Sequence, residues 1–260
     1  MNDTNALLLS DCPAPGVARI RIHRPGARNA LNTALRRELA DRFLALDRDE
    51  GVRCVLLCGG EGHFAAGADL KELVERGPHA VWALDVPRYW KAIADCSKPV
   101  VAAVSGYALG GGCELALHAD IIVAGRSARL GLPEVTVGVM PGGGATQRLM
   151  RAVGKYRAMK LLLTGEPVSA DEAFAMGLVS EVVDDDVSEA RALALAEVIA
   201  SRPPVAVRLI KEAALGGADA ALATGLLLER RSFELLFDTQ DQKEGMTAFI
   251  QRRPPAFSGR

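Results

Sequence analysis

The chain has 260 residues, 49% of them apolar and 24% charged, and its 31 basic and 32 acidic side chains leave a formal net charge of −1. That length suits one large domain, or a domain with an appendage, and is enough to bury a full core. The balanced charge lacks the basic excess that nucleic acid or an anionic membrane selects, so neither partner is expected.

The N-terminal stretch "MNDTNALLLSDCPAPG" has no basic region, and its apolar run covers only Ala6 to Leu9. It reads as neither a signal peptide nor a transit peptide. No apolar run approaches the ~18 residues of a membrane helix. Five cysteines form no regular framework and four histidines are scattered. Reduced thiols, no metal site and a cytoplasmic location are expected.

In chain order, "GVARIRIHRP" alternates Ala18, Ile20 and Ile22 with Arg19, Arg21 and His23, a strand with one wet face. Residues 33–48 place Leu35, Leu39, Phe43 and Leu46 at helical spacing, with Asn32 or Thr33 as cap. "VRCVLLCGG", which holds Cys54 and Cys58, and "PVVAAVSG" read as buried strands, and "DIIVAG" and "ARLGL" as two shorter ones. Helical patterns fall at 69–76, 79–95 and 112–118. Alternating strands and helices predict an α/β fold with a partly parallel sheet. After Gly154 the pattern is mainly helical, with "LVSEVV" as a further strand. The "SRPPVAV" turn at 201–207 predicts a boundary, with Pro204 in the first turn of the next helix. The expected division is a core over 1–200 and a helical region over 201–260.

Three stretches carry the chemistry. In "PVVAAVSGYALGGGCEL" the only charged residue is Glu114. The glycines do not bind a nucleotide: no Gly-Lys-Ser/Thr follows them, and the G-x-G-x-x-G spacing fails at Leu115. A strand, turn and helix start remains, where free N–H groups and the helix dipole suit an oxyanion. Glu114 lies one turn beyond Gly111 on the same face. Taken alone, it fits two roles equally, a dipole-complementing acid or a buried acid–base group. In "LGLPEVTVGVMPGGGATQ" Glu134 is again the lone charge. Burial without a cation raises a carboxyl pKa, which is how a glutamate becomes an acid or base near neutrality. In "HFAAGADLKEL" a strand leads through small residues into a helix beginning near Asp69, where Ala68 and its neighbours present N–H groups. Asp69 reads as an N-cap rather than a catalyst, and His63 as a surface loop residue. Trp82, Tyr89 and Trp90 read as packing rather than as a pocket wall.

With "FAAGADL", "GYALGGGCELAL", "ARLGLPEVTVGVMPG" and "TQRL" in this order, the chain resembles the enoyl-CoA hydratase/isomerase (crotonase) superfamily. The likeness runs from "RPGARNALN" to "EGMTAFIQRRPPAF". It implies a crotonase-like spiral of ββα units followed by a C-terminal helical region that builds a homotrimer, or a hexamer as a dimer of trimers. It implies an oxyanion hole from the Ala68 and Gly111 N–H groups, and an acyl-CoA site at Arg28, Ala66, Asp69, Leu70 and Lys71. Phe233 and Arg252 are candidates for a CoA site in this subunit or a neighbour.

Glutamates at both acid–base positions, Glu114 and Glu134, imply hydration of a trans-2-enoyl-CoA to a 3-hydroxyacyl-CoA, with CoA as part of the substrate and no separate cofactor. Within the hydratases the wording most resembles bacterial enzymes acting on an unsaturated dicarboxylic acyl-CoA. The alternatives are an enoyl-CoA isomerase, another acyl-CoA lyase of the fold and, from a different class, an RNA-binding relative. The sequence departs from the family pattern in three places: "PGGGATQRL" replaces the more usual "PGAGGTQRL", Ser105 stands where Asn is common, and Gly26 where Lys is common.

Overall fold

The computed structural model describes residues 6–60 and 62–260; the first five residues of the N-terminal stretch discussed above lie outside the described residues. β1 (Leu8–Ala14) and β2 (Val17–Ile22) form an antiparallel hairpin. Its turn is Pro15-Gly16, with Gly16 at φ +75°, a conformation that favours glycine. The sequence pattern hides β1 because Pro13 interrupts it, and the ladder shifts register between Asp11 and Ala14. An edge strand tolerates that proline.

α1 (Thr33–Arg48) begins where expected, with the Asn32 side chain accepting from Leu35 N–H at 2.9 Å. After β3 (Cys54–Cys58) the pattern at 69–76 yields only a 3₁₀ turn, Leu70–Glu72, before Gly77-Pro78 redirects the chain. The pattern at 79–95 is two helices, α2 (Pro78–Trp82) and α3 (Val86–Ala94). Asp85, at φ +47°, breaks them apart ahead of Pro87. Of the three aromatics expected to pack there, Tyr89 and Trp90 are buried, but Trp82 is 83% exposed, stranded at the end of the short α2.

β4 (Val100–Val104), β5 (Tyr107–Leu109) and α4 (Gly111–Ala116) follow, then β6 (Ile121–Gly125) and β7 (Arg129–Gly131). A 3₁₀ segment, Pro133–Val137, leads to α5 (Ala145–Val153) and α6 (Lys155–Thr164). β8 (Val168–Ser169), α7 (Ala170–Ala175), β9 (Glu181–Val183) and α8 (Ser188–Ala200) complete this part. α9 (Pro204–Ala218), α10 (Leu222–Leu236) and α11 (Gln240–Gln251) end the chain.

The large sheet has the order β1-β2-β3-β4-β6-β9 and is parallel from β2 onward. The small sheet has the order β5-β7-β8. Two successive units, β4-β5-α4 and β6-β7-α5, each give one strand to each sheet and then a helix, the repeat of an α/β spiral of ββα units. β3 is buried on both faces. Val55 and Leu57 face the core shared with Leu35, Leu39 and Phe43, while Cys54, Leu56 and Cys58 face Ala192, Ala196 and Ala200 of α8. Burial on two sides explains why this strand reads as an unbroken apolar run. It also pushes the Cys54 and Cys58 thiols up to about 12, so both stay protonated. α9 is tied to the sheet by Lys211, whose Nζ donates to the Asp120 carboxylate at 2.7 Å and to the Lys98 carbonyl at 2.9 Å.

The alanine face of α8 sets its distance from the sheet. Ala196→Leu should cost about 1–3 kcal/mol of stability through overpacking, with about 2–4 °C of Tm lost per kcal/mol. Thermal melting by circular dichroism measures this; an unchanged Tm would contradict the close packing.

Candidate active site

The N-terminus of α4 and the 63–69 loop meet backbone to backbone. Ala65 N–H donates to the Tyr107 carbonyl at 2.9 Å, and Leu109 N–H donates to the Ala65 carbonyl at 3.0 Å. A methyl at Gly112 would fall on that carbonyl, so only glycine allows the approach. Gly110, at φ +51°, turns the chain into the helix. A Cβ on Gly111 would lie 3.6 Å from the Ala68 nitrogen, which places the two expected amide donors side by side. Among the described residues neither N–H meets an acceptor. Two free N–H groups at a helix start form a site for developing negative charge.

Glu114 is 3% exposed, in the first turn of α4. Its Oε1 accepts from Gly143 N–H at 2.6 Å and Ala145 N–H at 3.2 Å, so it also holds the start of α5. Burial pushes its pKa above the usual carboxylate range, against the opposing pull of those N–H groups and of Arg36. Glu134 opens the 3₁₀ segment behind Pro133. Its Oε2 is buried without a partner among the described residues, and its Oε1 would lie 3.1 Å from a Cβ on Gly110. Burial raises its pKa, and the charge of Glu114 raises it further. Taken alone in the sequence Glu114 fits two roles; in the fold it is buried and bridges the starts of α4 and α5.

Several neighbours do not read as site residues in the sequence. Trp90 and His118 stack with ring centroids 5.2 Å apart, and His118 Nδ1 lies 2.7 Å from the Glu114 backbone carbonyl. Burial lowers the His118 pKa to about 4, so the ring is neutral. A methyl at Gly143 would meet Glu114 Oε2 at 2.6 Å and Trp90 Cε2 at 2.7 Å. Glycine in "PGGGATQ" thus makes room for the indole. His63, expected at the surface, is half-buried and stacked on Tyr107, with Nδ1 buried and unpartnered among the described residues.

A cleft of about 760 Å³ opens beside the amide pair, with Arg24, Ala66, Ala68, Asp69, Leu70 and Lys71 in its wall. Asp69 caps the 3₁₀ turn, accepting from Lys71 N–H at 3.3 Å, and pairs with Arg24 at 2.9 Å. Arg28 is exposed, at φ +49°, and is absent from this wall; Arg24 supplies the guanidinium there instead. Phe233 on α10 packs edge-on to Phe237 at the end of that helix, and Arg252 closes the end of α11. Neither lines the cleft. Among the described residues no group of three or more His, Cys, Asp or Glu side chains is arranged to hold a metal ion.

Residues 14–260 match the family model described as enoyl-CoA hydratase/isomerase. The chain belongs to this family. A protein of Escherichia coli (strain K12) named 2,3-dehydroadipyl-CoA hydratase is 45% identical over 94% of this chain and 96% of its own length. The mitochondrial enoyl-CoA hydratase of Pongo abelii is 41% identical over 93% of this chain and 83% of that protein. A crystal structure of the enoyl-CoA hydratase from Bacillus anthracis superposes with a TM-score of 0.95 at 39% identity, covering 98% of this chain and 100% of that one. The enoyl-CoA hydratase/isomerase fold is therefore the architecture of this chain, as its sequence motifs imply.

The raised Glu114 pKa has a consequence for stability. The folded protein keeps a proton that the unfolded chain releases, so stability falls as pH rises from the ordinary carboxylate range through the raised value. Glu114→Gln keeps an acceptor for the Gly143 and Ala145 N–H groups and removes the charge. Its Tm should exceed that of the wild type at pH 8, and the gap should close as pH falls below the raised pKa. A lower Tm at pH 8 would mean that the hydrogen bonds of the carboxylate outweigh its desolvation.

Proposed function

We propose that this chain is an enoyl-CoA hydratase, adding water across the 2,3 double bond of a trans-2-enoyl-CoA to give a 3-hydroxyacyl-CoA. The observation that carries the reading is a pair of pKa-raised glutamates, Glu114 buried and Glu134 half-buried, beside two free amide donors. The Ala68 and Gly111 N–H groups bind the thioester oxygen and stabilise the enolate-like charge that develops on it. One water lies between the glutamates. Glu114, ionised and held by Gly143 and Ala145, takes a proton from it as the hydroxyl attacks C3. Glu134, the carboxyl nearer Gly110 and raised by the charge of Glu114, is the acid that delivers a proton to C2. The hydroxyl of one water goes to C3 and the proton of Glu134 to C2. Transfer of the water's other proton from Glu114 back to Glu134 resets the pair, so the net addition is one water and needs no cofactor beyond the CoA of the substrate.

The CoA portion occupies the cleft at Ala66, Asp69, Leu70 and Lys71, where Arg24 supports Asp69. A core over 1–200 and a helical region over 201–260 form the working unit. Exposed Leu226, Phe249 and Ile250 on α10 and α11 support assembly of that region into a homotrimer or a dimer of trimers. Among the described residues no helix is long and apolar enough to cross a membrane.

Glu114→Gln and Glu134→Gln should each lower the kcat for crotonyl-CoA hydration at least ~100-fold, the usual loss for an acid–base group, while acyl-CoA binding is largely kept. Loss of the enoyl absorbance follows the reaction. A near-normal rate in either variant would sink the assignment. Proton NMR of the product made from a 3-enoyl-CoA separates hydration from double-bond isomerisation.

A further inference from the structure

Arg36 is the one large charged side chain buried on α1, only 8% exposed and set beside Leu35 and Leu39. Its Nε is buried, and among the described residues no carboxylate or carbonyl hydrogen-bonds or ion-pairs with the guanidinium. A buried, unpaired charge costs stability unless something compensates it. The groups whose fields reach it are Glu72, Glu114, Asp69 and Tyr89, which places it among the oxyanion segment, α3 and α4.

Each neighbouring carboxylate is already committed. Asp69 pairs with Arg24 at 2.9 Å. Glu72 accepts from the Thr33 N–H at 2.8 Å and its hydroxyl at 2.9 Å, one turn before Arg36 on α1. Glu114 holds Gly143 and Ala145. Three nearby carboxylates therefore soften the cost of the guanidinium without occupying its fork. A planar fork with unspent donors is matched by another carboxylate.

We propose that Arg36 is a specificity residue that receives the distal carboxylate of a dicarboxylic enoyl-CoA. The inference rests on the hydratase reading, because that reading fixes the thioester at Ala68 and Gly111 and C3 between the glutamates. On this proposal the chain beyond C3 runs toward Leu31, which lies against Gly111, and Trp90, which lies against Gly143, with Arg36 as the buried cation on which the charge of Glu114 acts. A monocarboxylic chain would bury its apolar end against an unpaired charge, and a dicarboxylic chain would neutralise it. The substrate class is thus a short trans-2-enoyl-CoA that ends in a carboxylate.

The test compares two substrates and two inert ligands on the full chain. The substrates are hex-2-enoyl-CoA and 2,3-dehydroadipyl-CoA; the ligands are their saturated counterparts, hexanoyl-CoA and adipyl-CoA. In the wild type the dicarboxylic member should have at least about tenfold the kcat/KM, and at least about tenfold the affinity by calorimetry, of its monocarboxylic partner. Arg36→Leu should collapse both ratios to about one, mainly through KM, and Arg36→Lys, which keeps the charge without the fork, should fall between. Ratios rather than absolute rates are read, so a general loss of folding does not mimic the effect. A wild-type binding ratio near one, or a ratio that Arg36→Leu leaves intact, overturns the proposal. A binding preference that depends on Arg36, with no hydration of either substrate, would uphold it and fail the hydratase reading instead.

Discussion

The site depends on one close approach, that of the Gly112 backbone to the Ala65 carbonyl. No other residue type fits there, and through it the start of α4 lies against the 63–69 loop. Everything polar in the site follows from this contact. It puts the Ala68 and Gly111 N–H groups side by side and leaves both unspent. It also sets the direction of α4, and with it the position of Glu114 one turn on. The glycines of "GYALGGGCEL" thus serve the approach of two backbones, with Gly110 supplying the turn.

The second constraint is electrostatic and opposes the first. Two carboxylates, Glu114 buried and Glu134 half-buried, share the site, and burial raises the pKa of each. The chain limits that cost by giving Glu114 the N–H groups at the start of α5, which ties α4 to α5 through one carboxylate. Glu134 receives no such help at Oε2. On the proposed mechanism this inequality matches the division of roles, with the held carboxylate as the base and the unheld one as the acid. Arg36 adds a weaker pull on Glu114 and retains free donors of its own.

Much of this was legible in the sequence, for identifiable physical reasons. Glu114 and Glu134 stood out because each is the only charge in a long apolar run, a pattern that burial requires and chance seldom supplies. β3 and β4 were legible because both faces of each are buried. β1, β5 and β8 were not: a proline breaks the first, β5 is hidden between Gly106 and the glycines of the turn into α4, and β8 spans only two residues. The start of α5 was hidden by the glycines that precede it. Arg36 was invisible for a different reason. Beside Leu35 and Leu39 on a clear amphipathic helix, an arginine reads as part of the solvated face, and only packing against α3 reveals that it is buried. The exchange of Arg28 for Arg24 in the cleft wall likewise depends on the left-handed turn at Arg28 and Asn29, which composition does not announce.

The most direct measurement is a crystal structure of the protein with acetoacetyl-CoA, an acyl-CoA that binds without being hydrated. The thioester oxygen should lie about 2.7–3.2 Å from both the Ala68 and Gly111 nitrogens, with the acyl carbons between Glu114 and Glu134. A thioester oxygen hydrogen-bonded to neither amide, or an acyl chain that avoids the two glutamates, would contradict the account.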